Sequence, residues 1–194
     1  RMHFTQGVAD FMGVPLVRCT TAEFITVFTD AIAASRAAEP LVVTYVNAWC
    51  SNLAAADPEY AEILRGADAV YADGQAVVWA SRLLGRPVPE RVNAADFIVD
   101  FCREAARRDL SLFLLGSEEG VAARAAERLR ECVPQLRISG AASGHFAGAE
   151  EAVIACVAAA APDLLVVGMG VPLQEKWVRR NLDRLNARAV WCVG

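Results

Sequence analysis

Asp73 stands between a short apolar run, Ala69-Val70-Tyr71-Ala72, and Gly74. A carboxylate just past a buried strand projects into the crevice that the strand end borders. Beside a substrate hydroxyl it can act as a general base, helped if partial burial raises its pKa. The same residue can serve as a turn Asp or as the N-cap of a helix from Gln75. Arg91 follows within Glu90-Arg91-Val92-Asn93-Ala94-Ala95-Asp96. Its guanidinium suits a diphosphate clamp. A surface ion pair with Glu90 or a nearby acid explains it as well. Asn93 or Asp96 can cap the next helix. Asp96 can bond a sugar hydroxyl or simply stabilise the helix N-terminus.

Two glycine turns carry further candidates. Gly116-Ser117-Glu118-Glu119-Gly120 joins a strand to a helix. Backbone N–H groups at such a turn can bind phosphate, although the acidic pair opposes it. Gly116 can instead allow close packing. The stretch Gly168-Met169-Gly170-Val171-Pro172-Leu173-Gln174-Glu175-Lys176-Trp177 begins like a dinucleotide fingerprint, but Leu173 replaces the third glycine. It reads better as a turn presenting Gln174 and Glu175 on a helix's first turn, with Gln174 able to read a base or a phosphate. Trp177 fits core packing or a stacking platform.

These residues need a scaffold, and strand-like runs alternate with helical ones. Strands are expected at 41–46, 69–72, 110–115, 136–140, 164–167 and 189–193. Helices are expected from about Ser51, from Pro58 with Asp57 as N-cap, and at 75–84, 94–107, 118–132, 149–160 and 172–185. The segment before Pro40 has room for one more strand and helix. The alternation predicts an α/β, Rossmann-like, mostly parallel sheet with helices on both faces. Ligands then bind beyond the C-terminal strand ends. That rule selects Asn47, Asp73-Gly74, Gly116-Ser117, Gly140 and Gly168-Met169-Gly170.

Composition bounds the function. The 194 residues fit one domain, and 55% hydrophobic residues supply a full core. With 19 Lys+Arg against 23 Asp+Glu the net charge is −4, which argues against a dedicated nucleic-acid binder. Lys176 is the only lysine; the arginine excess, beside abundant alanine, fits composition bias as readily as function. Six cysteines lack any C-x-x-C pair, and there are only two histidines. No metal site is expected, and the thiols are expected to be reduced and buried in a cytosolic protein. No apolar stretch approaches the ~20 residues that span a bilayer.

Several segments together are similar to the WecG/TagA/CpsF bacterial glycosyltransferases (glycosyltransferase family 26). They are Thr44-Tyr45-Val46-Asn47, Asp57-Pro58-Glu59-Tyr60, Ala72-Asp73-Gly74, Arg91 through Asp96-Phe97, Phe113-Leu114-Leu115-Gly116, Gly140 with Gly144-His145-Phe146, and the 168–177 stretch. The resemblance runs from about Leu41 to Gly194. It implies an inverting, metal-independent transfer of a sugar, N-acetylmannosamine-like or another hexose, from a UDP-sugar, with no cofactor. The implied acceptor is a saccharide on a polyprenyl diphosphate, in cell-wall or exopolysaccharide synthesis at the inner face of the membrane. Asp73 takes the place of the base and Arg91 that of the residue near the diphosphate. Thr44, Asn47, Gly74, Asn93, Asp96, Gly116, Gly140, Gly168, Gly170, Gln174 and Glu175 become candidate substrate contacts.

The chain departs from the family pattern in three places. Tyr45 occupies the usual Thr position, with Thr44 one residue earlier. Asn93-Ala94-Ala95-Asp96 replaces Asn-Gly-x-Asp. Family members also continue past the position of Gly194 with a segment that docks on the membrane. Residues 1–194 are therefore read as one glycosyltransferase domain without that segment, and surface it leaves uncovered predicts a homo-oligomer. The alternatives are a nicotinamide-dependent oxidoreductase and a non-catalytic nucleotide sensor. The missing third glycine and the lack of an acidic ribose partner count against the first.

Overall fold

Strands that are apolar throughout must be covered on both faces, and the chain supplies a helix after almost every strand. The computed structural model describes residues 2–36, 38, 40–146 and 148–194. A hairpin of β1 (Val8–Phe11) and β2 (Val14–Val17) turns through Gly13 at φ +83° and leads into α1 (Thr21–Ala34). Then come β3 (Leu41–Val46), α2 (Ala48–Ala56), α3 (Pro58–Gly66), β4 (Ala69–Ala72), α4 (Gln75–Leu83) and α5 (Ala94–Arg107). The second half runs β5 (Ser111–Gly116), α6 (Val121–Cys132), β6 (Arg137–Ala142), α7 (Glu150–Ala160), β7 (Leu164–Gly168), α8 (Leu173–Asn181), a 3-10 turn at Leu182–Arg184, and β8 (Ala189–Cys192).

The eight strands form one sheet in the order β1-β2-β4-β3-β8-β7-β5-β6. Among the described residues only the edge strand β1 pairs antiparallel. The α/β, mostly parallel architecture expected from the alternation is the one observed. Side chains alternate across the sheet, as the period of two requires. Leu164 and Val166 of β7 join a core shared with α1, α5 and α6, whereas Leu165 and Val167 pack with α7 and α8. Trp191 of β8 centres the first core, with ring centroids 4.8–6.0 Å from Phe24, Phe28, Phe97 and Phe101.

Chain direction locates the crevice. After β5 the chain leaves toward the β6 edge; after β7 it leaves the other way, toward β8. The two loops diverge, which opens a gap above the β5/β7 pair. Gly116 and Gly168 lie side by side there. A Cβ on Gly116 would come 2.3 Å from the Gly168 carbonyl oxygen, so main chain meets main chain.

Local sequence explains where the elements differ from expectation. The segment before Pro40 holds two strands, because Gly13 allows a tight hairpin. Asn47 caps α2, so that helix starts at Ala48 rather than Ser51. Asp57 caps α3 with Pro58 in the first turn, as expected. The long last helix is broken at Asn181, where a 3-10 turn takes over. Cys132 and Cys156 are exposed, against the expectation of burial, while Cys19, Cys50, Cys102 and Cys192 are buried. On α7 only Ile154 and Val157 are fully covered, so the apolar run around Cys156 has an outward side.

Two substitutions test this packing. Trp191→Ala should destabilise the fold by about 3–5 kcal/mol, read from denaturant unfolding, because it empties the aromatic cluster. Gly116→Ala should cost about 1–3 kcal/mol, since two backbones rather than a flexible side chain must separate. Unchanged unfolding midpoints would contradict the respective contacts.

Candidate active site

The direction of β4 delivers Asp73 to the C-terminal edge of the sheet. Its N–H donates to the Val46 carbonyl at 2.9 Å, which holds it beside the end of β3. The Val92 N–H donates to the Ala72 carbonyl at 2.8 Å and brings residues 91–93 alongside. Asn93 then acts in two directions. Its Oδ1 accepts from the Ala95 N–H at 3.0 Å and caps α5, while its Nδ2 donates to Asp73 Oδ1 at 2.5 Å. The N-cap of α4 is Gly74, with no side-chain cap bond, so Asp73 is not spent on capping. Burial raises the Asp73 pKa; the Asn93 bond and the Arg91 charge pull it down, and Asp96 adds to the rise.

The neighbours divide into those that face Asp73 and those that hold the backbone. Arg91 forms its ion pair with Asp96. Glu90, the other acid considered for it, instead accepts from the Thr21 N–H at 2.6 Å. Gly74 is packed so closely that a Cβ would lie 3.3 Å from Asn47 Cβ, which brings the ends of β3 and β4 together. The Asn47 side chain accepts from the Cys50 N–H at 3.0 Å as the α2 cap.

Two adjoining cavities occupy the gap above β5 and β7. One, of about 270 Å³, has α5 (Ala94, Ala95, Ile98) and α6 (Val121, Ala122, Ala125) as walls and Gly116 and Gly168 on its floor. The other, of about 330 Å³, lies among Ser117, Gly144, His145, Gly168, Met169, Gly170 and Gly194. Ser117 and Gly168 border both. Glycine creates the second one's close walls: a Cβ on Gly144 would meet Met169 Cγ at 2.7 Å, and one on Gly194 would meet Gly168 C at 2.7 Å. Asn93 links the cavities to the acid, because it binds Asp73 with its side chain and leads directly into Ala94 and Ala95. Along the edge, β4 and β7 are three strand spacings apart, about 14 Å.

Four candidate contacts lie elsewhere. Gly140 is inside β6, because that strand continues to Ala142, and a Cβ there would strike the Phe113 ring at 2.4 Å. Its role is packing. Thr44 is fully buried, and its Oγ1 donates to Glu175 Oε1 at 3.0 Å. Gln174 and Glu175 are also buried rather than presented by the turn. Gln174 Oε1 accepts from the Gly194 and Met169 N–H groups at 3.0 and 3.4 Å; its Nε2 donates to Gly194 O and Glu175 Oε1 at 2.9 and 2.8 Å. Met169 and Gly194 are thereby clamped as cavity wall. Burial raises the Glu175 pKa, against the bonds from Gln174 and Thr44, and its Oε2 has no partner. Trp177 packs on Phe146 in the core, not as a platform.

Other contributors stood in the marked turns without being assigned as contacts, and one was missed. Ser117 and Gly144 line the cavity, and both sat in glycine turns that marked them. Tyr45 OH donates to Gly194 O at 2.5 Å, and nothing in a β-branched run signals such a bond. Among the described residues, no group of three or more His, Cys, Asp and Glu side chains is placed to hold a metal ion, and no helix is long and apolar enough to cross a membrane.

The model of the Glycosyl transferase WecG/TagA/CpsF family matches residues 9–194. The N-acetylglucosaminyldiphosphoundecaprenol N-acetyl-beta-D-mannosaminyltransferase of Bacillus spizizenii is 30% identical over 124 residues, 64% of this chain and 48% of that protein. The protein of the same name from Staphylococcus aureus strain MRSA252 is 25% identical over 185 residues, 95% of this chain and 72% of its own length. The chain thus spans about half the length of the Bacillus relative. An oxidoreductase reading is not favoured beside a match over nearly the whole chain. The chain belongs to the WecG/TagA/CpsF family of glycosyltransferases.

Proposed function

We propose that this chain transfers a hexose, N-acetylmannosamine or a close analogue, from a UDP-sugar to a saccharide on a polyprenyl diphosphate, with Asp73 as general base. The named relatives carry the acceptor and sugar classes in their printed names. The observation that carries the reading is the half-buried Asp73 carboxyl, left free of capping and tied by Asn93 to the helix that walls the crevice. The two cavities suit a nucleoside diphosphate in size, and their place above the β5/β7 divergence supports a nucleotide there.

The reaction needs one proton acceptor and one means of stabilising the leaving diphosphate. The acceptor hydroxyl oxygen attacks the anomeric carbon as the bond from that carbon to the diphosphate oxygen breaks. The hydroxyl proton passes to Asp73, and UDP departs from the opposite face, which inverts the anomeric centre. Desolvation makes the Asp73 carboxylate a stronger base than an exposed one. Arg91 and the amide-rich turns at Gly116 and Gly168–Gly170 supply positive charge and N–H groups, without a metal or cofactor. Asp96 holds the Arg91 guanidinium in place, and Asn93 holds the base. Thr44, Gln174 and Glu175 act behind the wall as positioning residues.

Asp73→Asn should lower transfer of radiolabelled sugar by about 10²–10⁴-fold while UDP affinity by calorimetry stays the same. Undiminished transfer would remove Asp73 as base, and binding of NAD without UDP would remove the nucleotide-sugar reading. The same variant should hold or raise the thermal midpoint at neutral pH. A carboxyl whose folded pKa is raised binds its proton more tightly when folded, so the native protein loses stability as pH rises from the ordinary 3.8 through the raised value. Asn escapes that loss; a lower midpoint at neutral pH would contradict a desolvated carboxylate.

Asn93→Ala removes a bond that lowers the Asp73 pKa. The acid limb of the pH–rate profile, where activity falls as Asp73 protonates, should therefore move to higher pH. The lost α5 cap should also cost about 1 kcal/mol. An unmoved limb would show that Asn93 does not tune the base.

A further inference from the structure

We propose that Lys176 is a positioning residue for the nucleotide pocket: its ammonium ties the start of α8, which carries part of the pocket's wall, to the junction of α2 and α3. The role rests on the nucleotide-sugar reading above. Lys176 is the only lysine in the chain, and its Nζ lies 2.6 Å from Asp57 Oδ2 and 2.8 Å from Glu59 Oε2. Asp57-Pro58-Glu59-Tyr60 and the 168–177 stretch are thus joined at one cation, between residues 119 apart in sequence.

The cation does nothing for its own helix. Near the N-terminus of α8 a positive charge opposes the helix dipole, whereas acids at the start of α3 are favoured by theirs. What the lysine supplies is the cross-link. Gln174, Glu175 and Lys176 are consecutive, so their side chains leave the helix about 100° apart. Gln174 holds Gly194 and Met169, Glu175 is bound by Thr44 of β3, and Lys176 holds Asp57 and Glu59. Three tethers in three directions fix the start of α8 against both rotation and tilt.

The third tether matters because apolar packing at this interface is incomplete. A cavity of about 330 Å³ lies between α3 and α8, beside Ile63, Gly66, Ala67, Val178 and Leu182. Arg179 and Glu62 bridge the same two helices at 3.1 Å, but their side chains are 47% and 64% exposed, and water and salt screen such a pair. Those of Lys176 and Asp57 are only 23% and 25% exposed. Asp57 is also a fixed partner. Its Oδ1 accepts from the Tyr60 N–H at 3.1 Å, and its own N–H closes α2 on the Leu53 carbonyl at 2.8 Å. At the other end of α2, Asn47 packs against Gly74, next to the base. The strap therefore holds the wall that Gly168, Met169, Gly170 and Leu173 give the second cavity in register with the strand ends that carry Asp73.

The test is the calorimetric UDP affinity of Lys176→Met. UDP should bind about five- to tenfold more weakly, and the KM for the UDP-sugar should rise by the same factor while kcat changes less than about twofold, because the nucleotide is held alike before and during the reaction. The acid limb set by Asp73 should stay in place. Lys176→Arg, which keeps the charge, should recover most of the loss. Asp57→Asn with Glu59→Gln removes the charges from the other side while Asn still caps α3, so it should weaken UDP equally, and adding Lys176→Met should weaken it no further. Parental UDP affinity in Lys176→Met would overturn the role. So would a kcat loss with KM unmoved, or equal losses of affinity and thermal midpoint in Lys176→Met and Lys176→Arg, since the lysine would then be scaffold only. If Lys176→Met does not fold, the acid-side pair decides alone, and parental UDP affinity there overturns the role. A parent that binds no UDP would instead remove the nucleotide-sugar reading, and this role with it.

Discussion

The Asn93–Asp73 hydrogen bond is the constraint from which the site is built. One end fixes the carboxyl past β4; the other belongs to the residue that caps α5 and leads into the crevice wall. Base and cavity are therefore set by a single short segment. The arrangement survives because Val92 is itself pinned to Ala72, so Asn93 cannot drift from the strand end. A carboxyl held this way stays partly desolvated, which supplies basicity at a cost in stability that the surrounding core must offset.

The other half of the site is made by absence of side chains. Gly116, Gly144, Gly168 and Gly194 crowd together so that backbones, not side chains, form the floor and near wall. Gln174 reinforces this with four hydrogen bonds from a fully buried position, which is a structural use of a residue whose place in a glycine turn suggested direct ligand contact. Glu175 and Thr44 extend the support inward to β3.

The fold was largely legible because its signals are local. A short, β-branched apolar run such as Leu164–Val167, bounded by Pro162-Asp163 and Gly168, reads as a doubly covered strand, and Asp57-Pro58 is a helix start by its own chemistry. Asp73 and the glycine turns could be picked out because strand ends are where parallel sheets bind ligands, and Asn93 because an Asn ahead of a helical run is a cap by its own chemistry. The failures concern orientation and register. Whether Gln174 faces the crevice or the core depends on one turn's path. Gly140 moved inside β6 because the strand gained two residues beyond it. Tyr45 reaches Gly194 only through the pairing of β3 with β8, a contact between residues 149 apart in sequence.

The central claim is that a nucleoside diphosphate lies in the β5/β7 crevice with its phosphates toward Asp73. A crystal structure with UDP measures this directly. The account requires the uridine between the Gly116–Ser117 and Gly168–Gly170 turns and the diphosphate on the side of α5 that Asn93 begins. UDP bound at another edge of the sheet, or with its phosphates pointing away from β4, would contradict it.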